Sequence, residues 1–352
     1  MQEFTQKRRT RLKGKRVLSL GADAQGSIAF QTSSKIKFWD GFGNLELVEN
    51  YENWKEEVLK LGRVDYVLCD LNPGFMSHKL AKQLAKKYDA ELIFVQHHLA
   101  HAYSGALDHE LKDFCAIVCD GYGYGSDENA WGGELFCNCN RIGSLQEHAL
   151  LGRDASAFKP ERFLLSLLGT FLEKNDVSEY MENFMSQEEI SILLSQLEGN
   201  FNTIKTTSTG RILDALCYLL GFCNQETQDA EPAIILEQKS SNSTKLDPVI
   251  NKSKEFSIVQ TTPLIKHIYE NLDKDRHMLA ATAQTYLAQG LYSIAKAQKK
   301  WIVFSGGCAS NNIMGNWLKA RKVLLPKNVP PGDSGISLGQ ISYLNKGYFT
   351  TT

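Results

Sequence analysis

The sequence lacks any apolar run of the roughly 20 residues that a helix needs to cross a bilayer, and its start lacks the apolar core of a signal peptide. It also lacks an excess of charge of either sign, because 39 Lys and Arg residues nearly balance 40 Asp and Glu residues. Such a chain has no global electrostatic attraction for nucleic acid or for anionic membranes. We therefore expect a cytoplasmic protein without a membrane partner, and nucleic acid is disfavoured as a ligand.

Paired cysteine motifs are missing as well. The chain has eight cysteines, but it has no CxxC knuckle with a matching second pair, which argues against a cysteine-based zinc finger. Most of the cysteines lie within apolar runs, where a free thiol packs as a small hydrophobic group. We predict that all eight are reduced and structural. Internal repeats at solenoid spacing are also absent.

The composition is that of an ordinary globular protein, with 43% hydrophobic and 22% charged residues over 352 positions. This length exceeds what one small core requires and predicts two lobes. One basic run, at residues 7–16, precedes the first predicted strand. A solvated lead-in explains this run better than an arm that binds nucleic acid.

The same local pattern occurs twice along the chain. Residues 16–31 have the pattern of a strand, a glycine turn and a returning strand, and residues 114–136 repeat it. Helices and further strands follow each hairpin. We therefore predict two α/β lobes that face a cleft, at residues 16–110 and 111–352, with a mostly helical insertion at about 155–275.

The stretch from Gln96 to Ser104 carries three histidines immediately after an apolar strand. His97 and His101 are four residues apart, so a helix places both imidazoles on one face. His98 and His101, three residues apart, form a second candidate pair. Such pairs are common ligands of divalent transition metals. The spacing also fits a hydrogen-bonded histidine cluster without metal.

Two aspartates could complete a metal site. Asp120 ends a predicted strand and enters a glycine turn, so we expect its carboxylate in the cleft. Asp333 lies in a turn before a helix, where it is either an N-terminal cap or a further ligand. With His97 and His101 they form a donor set suited to Fe(II), Zn(II) or Mn(II).

Glycine-rich turns follow several predicted strands and could bring backbone N–H groups close to a phosphate. They are residues 121–125 and the Ser305-Gly306-Gly307 turn, which precedes Asn311. Covalent catalysis has less support. Cys308 has no assignable base, and Ser104 lacks the G-x-S-x-G elbow.

Five longer motifs occur in order along the chain, at residues 96–101, 120–125, 131–134, 305–311 and 331–340. Together they resemble one known family, the C-terminal carbamoyltransferase domain of the hydrogenase-maturation protein HypF. Weaker similarities lie at residues 70–77, at Gly152-Arg153-Asp154 with Arg162, and at residues 209–215. That domain is related to antibiotic O-carbamoyltransferases and to tRNA threonylcarbamoyladenosine synthases.

The resemblance implies an actin-like, sugar-kinase-like two-lobe ATPase fold with a duplicated β-β-β-α-β-α core. It implies a metal held by His97, His101, Asp120 and Asp333, and catalytic roles for His97, His101 and Arg162. The implied cofactor-binding residues are Gly123, Gly125, Gly210, Asp214, Glu237, Gly306, Gly307 and Asn311.

The implied cofactors are one divalent metal, iron or zinc, and ATP or carbamoyl-adenylate, with Mg²⁺ as an additional candidate. In the family a carbamoyl group moves from carbamoyl phosphate, through carbamoyl-adenylate, to the C-terminal cysteine of HypE. The group later becomes the cyanide ligand of nickel-iron hydrogenase. The family's adenylating domain is not found in the sequence, whose residues 1–15 resemble a remnant of it. A YrdC-like partner is therefore implied.

Two alternatives stay open. One is an O-carbamoyltransferase that acts on a small-molecule hydroxyl. The other is a non-catalytic scaffold that binds a maturation partner. The scaffold is suggested because Gln25-Gly26 replaces the family's usual Lys-Asn pair, and because Asp229-Ala230-Glu231-Pro232 replaces a glycine-rich loop.

Overall fold

The computed structural model of the chain describes residues 2–5, 12, 14–33, 35–152, 159–223 and 230–347, with backbone only at 2–5 and 346–347. Several predictions fall outside the described residues. They concern Arg153, Asp154, Asp229 and most of the basic lead-in.

A first sheet of six strands has the order β1-β4-β3-β2-β5-β6. Strands β2, β5 and β6 are parallel neighbours, and β3 and β4 form an antiparallel hairpin beside β2. The strands are β1 (Gln2–Thr5), β2 (Arg16–Ser19), β3 (Ile28–Thr32), β4 (Lys35–Trp39), β5 (Tyr66–Asp70) and β6 (Glu91–Val95). The associated helices are α1 (Val48–Lys60), α2 (Met76–Tyr88) and α3 (His97–Asp108).

The first sheet is covered on both faces, as the apolar runs of its parallel strands require. Leu18 and Val67 face one side, where they belong to a core that includes Trp54 of α1. Val17 and Leu68 face the other side and pack in a separate core. The buried sheet therefore forms a fixed base for α3, which begins two residues after β6 ends.

A second sheet of eight strands is built around β7, which pairs antiparallel with β8 and parallel with β14. Both sheets thus open with the predicted strand-turn-strand unit, and the predicted two-lobed α/β fold is confirmed. The strands are β7 (Phe114–Tyr124), β8 (Ala130–Cys137), β9 (Asn140–Leu145), β10 (His148–Leu151), β11 (Thr203–Thr206), β12 (Ile250–Lys252), β13 (Ser257–Val259) and β14 (Trp301–Ser305).

Helices pack around the second sheet and form its large apolar core. The stretch predicted to be helical also contributes β11, which pairs with β8, and β13, which pairs with β9. Strands of three or four residues are too short to show a periodic pattern. The helices around this sheet are α4 (Pro160–Leu168), α5 (Lys174–Met181), α6 (Gln187–Gly199), α7 (Thr209–Leu219), α8 (Glu231–Lys239), α9 (Thr262–Tyr269), α10 (Arg276–Lys296) and α11 (Asn312–Lys319). One more described helix, α12 (Ile336–Gly347), follows them in the chain.

Across the described ranges, the model contains no helix with the length and apolar content needed to traverse a bilayer.

The last helix, α12, packs on the first sheet although the sequence analysis grouped it with residues 111–352. Ile336 and Ile341 share a core with Val17 and Leu68. The side chain of Gln340 accepts a hydrogen bond from Ser19 Oγ at 2.5 Å. A helical apolar pattern shows that one face is buried, but it does not show which sheet covers that face. The domain boundaries themselves stay a prediction.

Helices α12 and α3 approach each other closely at Gly339. A Cβ atom at this position would lie 1.9 Å from the carbonyl oxygen of Ala100. We predict that Gly339→Ala lowers the free energy of unfolding by about 2 kcal/mol or more, because the helices must separate. Urea unfolding followed by circular dichroism measures this change.

Gly315 within α11 is the matched control. Its Cβ would meet only Leu325 Cδ1, at 3.8 Å. Gly315→Ala should stabilise the protein by roughly 0.5–1 kcal/mol, because alanine has the better helix propensity. Equal effects of the two substitutions would contradict the predicted steric contact.

His148 of β10 is a buried histidine away from the histidine stretch of α3. Its Nε2 atom lies 2.6 Å from Thr261 Oγ1, and its ring meets Phe163 edge to face. Burial lowers the pKa of His148 to about 4 from an ordinary value of 6.5. The folded protein therefore keeps this imidazole neutral under mildly acidic conditions.

We predict that His148 makes the protein less stable as the pH falls from about 6.5 to about 4. In that range the unfolded chain binds a proton that the folded state excludes, which costs up to about 3 kcal/mol. His148→Gln retains a polar group near Thr261 and does not titrate. Urea unfolding at several pH values should show a shallower pH dependence for this variant, and parallel profiles would contradict the prediction.

Candidate metal centre and nucleotide-binding turns

Helix α3 presents two histidines from its first turns. It begins at His97 because Gln96 caps it, with Oε1 accepting a hydrogen bond from the Leu99 N–H at 2.9 Å. His97 and His101 are fully buried and their rings meet edge to face at 4.9 Å. The predicted helical spacing therefore places both imidazoles on one face.

Asp120 reaches the same place from β7. The pairing of β7 with β8 shifts register between Cys119 and Gly123, so Asp120 lies where the regular ladder is interrupted. Its Oδ1 atom accepts a hydrogen bond from the Gly307 N–H at 3.0 Å. A Cβ atom at Gly307 would lie only 2.9 Å from this oxygen, so glycine leaves room for the carboxylate.

Asp333 arrives from a 3₁₀ turn, Asp333–Gly335, that directly precedes α12. The turn is tied to the first lobe because Ser334 N–H donates to Gln25 Oε1 at 3.3 Å. The Asp333 carboxylate points toward the two imidazoles, at 3.6 Å from His97 and 3.5 Å from His101. Asp333 thus lies with the other predicted ligands, and its role as a metal ligand stays a prediction.

The four predicted metal ligands form one cluster, with one donor atom from each residue within 4.8 Å of the others. Asp120 Oδ2 lies 3.2 Å from His97 Nε2 and 3.8 Å from His101 Nε2. Ligands at about 2.1 Å from a tetrahedral metal lie about 3.4 Å apart. His97 Nε2 and Asp120 Oδ2 are within hydrogen-bond distance, and the separations across the cluster also fit ligands that share one cation.

A fifth residue, Asp70, orients His97 from behind. Asp70 Oδ2 lies 2.8 Å from His97 Nδ1, and Oδ1 accepts a hydrogen bond from the Asn72 N–H at 2.9 Å. Nδ1 can thus donate to the carboxylate while Nε2 faces the cluster, as in carboxylate–histidine–metal arrangements. In the sequence Asp70 was noted only within the weaker motif similarity at residues 70–77, without a role of its own. The available signal was that this carboxylate ends β5, beside the strand that leads into α3.

Charge is concentrated in the cluster. Burial disfavours protonation of His97, but Asp333, Asp70 and Asp120 outweigh it and raise its pKa well above the ordinary value. Burial likewise opposes ionisation of the two acids, yet the histidines lower the pKa of Asp333 to about 2 and that of Asp120 further. The carboxylates of Asp120 and Asp333 are therefore ionised and would favour a divalent cation.

His101 supplies an independent sign of a missing ligand. Neither of its ring nitrogens has a hydrogen-bond partner within the described part of the chain, although the residue is fully buried. Leaving buried polar atoms without partners costs about 1–3 kcal/mol each. A metal bound by Nε2 would satisfy one of them, so the residues present fit the implied metal.

Three of the predicted glycine positions converge on the end of β7. A Cβ at Gly210 would lie 2.8 Å from Gly121 Cα, and one at Gly306 would lie 2.3 Å from the Cys119 carbonyl oxygen. Gly306 also has a φ of +93°, which favours glycine. A Cβ at Gly123 would lie 2.5 Å from His97 Cδ2. These turns need glycine because backbone and rings approach so closely.

Helix α7 points its N-terminus at this region. Ser208 caps it by accepting a hydrogen bond from the Arg211 N–H at 3.0 Å, and its hydroxyl also contacts the Gly121 carbonyl at 2.5 Å. The N–H groups of a helix's first turn favour phosphate. Of the predicted nucleotide residues, Gly123, Gly210 and Gly306 therefore lie close to the four-residue cluster.

The remaining predicted cofactor residues each make their own polar contacts. Asp214 pairs with Arg211 at 3.2 Å, and Asn311 donates to Gln284 Oε1 at 2.7 Å. Glu237 accepts hydrogen bonds from Asn312, at 3.0 Å from its backbone nitrogen and 2.7 Å from Nδ2. Gly125 donates to the Asn129 carbonyl at 2.8 Å in the turn after β7. Their contact with a nucleotide stays a prediction.

Arg162 is placed differently. Its guanidinium donates twice to Glu189 Oε1, from Nε at 3.0 Å and from Nη2 at 2.6 Å. Both side chains line an open cleft of about 330 Å³ between α4 and α6. No contact of Arg162 with the metal cluster is seen among the described interactions. Its catalytic role stays a prediction.

Two family models cover most of the chain. Residues 12–108 match the HypF Kae1-like domain, and residues 116–340 match the second subdomain of the carbamoyltransferase Kae1-like domain. The chain belongs to the HypF carbamoyltransferase family. The resemblance noted from the motifs is thereby confirmed.

Curated relatives agree with the family models. The probable carbamoyltransferase HypF of Methanocaldococcus jannaschii is 36% identical over 95% of this chain and 47% of its own length. Carbamoyltransferase HypF of Synechocystis is 27% identical over 93% of this chain and 47% of its own length. The chain thus spans about half the length of these two proteins. A carbamoyltransferase HypF homolog of Cupriavidus necator, 27% identical, is matched over 90% of its length and 92% of this chain.

Solved structures show the same fold. Full-length HypF in a phosphate- and nucleotide-bound form superposes with a TM-score of 0.91 at 24% identity, over 99% of this chain and 48% of that one. HypF of T. kodakarensis superposes with a TM-score of 0.87 at 26% identity, over 97% of this chain and 48% of that one.

We predict that Asp70→Asn weakens metal binding about 10- to 100-fold. The two oxygens of Asp70 face the Nδ1 atom of His97 and the N–H of Asn72, and an asparagine has only one oxygen to accept with. His97 therefore loses its fixed orientation. Competition titration with a chromogenic chelator measures the dissociation constant. Asp40→Asn, at an exposed aspartate after β4, is the control, and an unchanged affinity in Asp70→Asn would reject the orienting role.

Proposed function

We propose that the chain transfers a carbamoyl group from carbamoyl-adenylate to the C-terminal cysteine of a HypE-like acceptor protein. Family membership supports a carbamoyltransferase. The observation that carries the proposal is the buried cluster of two imidazoles and two carboxylates beside glycine turns suited to phosphate.

In this proposal His97, His101, Asp120 and Asp333 hold one divalent metal, iron or zinc. When bound, the metal acts as a Lewis acid that polarises the carbamoyl carbonyl group. Asp70 keeps His97 in the tautomer and orientation that direct Nε2 toward the cluster. The protein thus supplies a fixed set of charges before substrate arrives.

The nucleotide would lie against the turns that meet at β7. The N-terminus of α7 would offer N–H groups to the phosphate of carbamoyl-adenylate. The Gly306-Gly307 turn beside it would shape the site by its close backbone approach, since its own N–H groups already donate to the Pro331 carbonyl and to Asp120. A solved HypF was crystallised with phosphate and nucleotide, which supports a nucleotide in this fold. This placement brings the carbamoyl carbon next to the metal cluster.

The transfer starts from the acceptor thiolate and therefore needs no base from this chain. The thiolate sulfur of the acceptor attacks the carbamoyl carbon, and a C–S bond forms. The C–O bond to the adenylate phosphate breaks, and AMP leaves with the electron pair. A YrdC-like partner would form the carbamoyl-adenylate from carbamoyl phosphate and ATP.

The decisive experiment combines the metal-loaded chain, a YrdC-like adenylating protein, carbamoyl phosphate, ATP and a HypE-like acceptor. Mass spectrometry of the acceptor should show one carbamoyl group on its C-terminal cysteine. His101→Ala should abolish both metal binding and transfer, because one of the four proposed ligands is lost.

His109→Ala is the matched control, since His109 lies at the other end of the same helix and contacts the Leu325 carbonyl. It should keep metal and activity. Transfer to a sugar or antibiotic hydroxyl in place of the thiol would instead establish an O-carbamoyltransferase. Acceptor binding without nucleotide binding, measured by calorimetry with an ATP analogue, would establish a scaffold.

A further inference from the structure

A third imidazole, that of His98, faces the metal cluster without belonging to it. The residue is completely buried, and its Nε2 atom lies 3.9 Å from Asp120 Oδ2. This is the same oxygen that faces His97 and His101. In the part of the chain that the structure describes, His98 Nε2 has no hydrogen-bond partner. A buried polar nitrogen aimed at a reaction site in this way calls for a ligand.

Gln96 decides which ring nitrogen of His98 carries the proton. The orientation of the Gln96 amide group is fixed, because its oxygen accepts the hydrogen bond from the Leu99 N–H. Its amide nitrogen donates to the Tyr124 carbonyl at 3.0 Å and lies 3.3 Å from His98 Nδ1. Facing a donor, Nδ1 must accept, so the proton of the neutral ring is on Nε2. His98 therefore directs an N–H donor at the cluster.

The ring is held rigidly in this orientation. A Cβ atom at Gly123 would lie 2.4 Å from His98 Cε1, so the backbone of β7 packs directly on the imidazole. Trp131 of β8 covers another side, with ring centroids 6.2 Å apart. A buried donor that is fixed in advance is well placed to stabilise developing charge.

We propose that His98 is a catalytic residue whose Nε2–H donates a hydrogen bond to the carbonyl oxygen of the carbamoyl group. The inference rests on the proposed function and extends it. When the acceptor thiolate attacks, negative charge grows on this oxygen and the hydrogen bond strengthens. The proton stays on His98 throughout. Because Nε2 carries a proton, His98 is not a metal ligand.

Two variants separate the hydrogen bond from the packing. The amide nitrogen of His98→Gln can take the place of Nε2 and keep the donor, whereas His98→Met has a similar volume and no donor. We expect His98→Met to lower kcat about 100-fold with little change in KM, and His98→Gln to retain most of the activity. Equal losses in the two variants, or loss of bound metal from His98→Met, would overturn the proposal.

Binding to the metal-free protein gives a readout that does not depend on transfer. Carbamoyl phosphate carries the carbonyl oxygen and inorganic phosphate does not. By calorimetry, His98→Met should weaken binding of carbamoyl phosphate about tenfold and leave binding of inorganic phosphate unchanged. Equal affinity of wild type and His98→Met for carbamoyl phosphate would overturn the inference. If His98→Met binds carbamoyl phosphate more weakly than wild type but wild type transfers no carbamoyl group, the proposed function fails. The hydrogen bond from His98 to the carbonyl oxygen would then still be supported.

Nitrogen-15 NMR of the metal-free protein tests the tautomer directly. The His98 ring should show the proton on Nε2 in wild type. Gln96→Glu keeps an oxygen to cap α3 but removes the amide donor, so it should move the proton to Nδ1. Wild-type protein with the His98 proton on Nδ1 would overturn the assignment.

Discussion

The structure depends on one buried carboxylate, that of Asp120, which three imidazoles approach through their Nε2 atoms at 3.2 to 3.9 Å. Removing a charge from water is costly unless opposite charge or hydrogen bonds compensate. Here the compensation comes from the histidines of α3 and from the Gly307 N–H. This buried carboxylate therefore requires fixed relative positions of three elements: the end of β7, the start of α3 and the turn after β14.

The close approach of these elements explains the glycines of the motifs. At Gly123 and Gly306 a side chain would collide with a histidine ring or with the β7 backbone. Gly339 plays the same part farther away, where α12 rests on α3. Because Asp333 immediately precedes α12, this helix contact also fixes the fourth member of the cluster. The glycines that allow these elements to pack closely therefore also position the residues of the cluster.

The first lobe contributes more than a base for α3. Asp70 ends β5 and holds His97, and Gln25 from the first turn holds the Asp333 turn through Ser334. Gln25 was noted in the sequence because Gln25-Gly26 stands where the family usually has a Lys-Asn pair. Its side chain links the first lobe to the turn that carries Asp333. Gln25 therefore helps to position one member of the four-residue cluster.

Much of the site was predictable because its signals are local. The spacing of His97 and His101 indicates a shared helix face, and Asp120 before a glycine turn indicates a carboxylate at a strand end. The repeated strand-turn-strand unit predicts two lobes for the same reason. Each of these inferences needs only a few neighbouring residues, since helix and strand periodicity is itself a local property.

Other features depend on residues far apart in sequence. Asp333 had two interpretations until its distance to His101 separated a cluster member from a helix cap. The roles of Asp70 and of Gln96 with His98 follow from contacts across strands and turns, and Arg162 lies against Glu189 away from the cluster. The sequence by itself determined which residue types and turns were available. Only the tertiary structure decided which of them meet, because side-chain partners are selected by how sheets and helices pack.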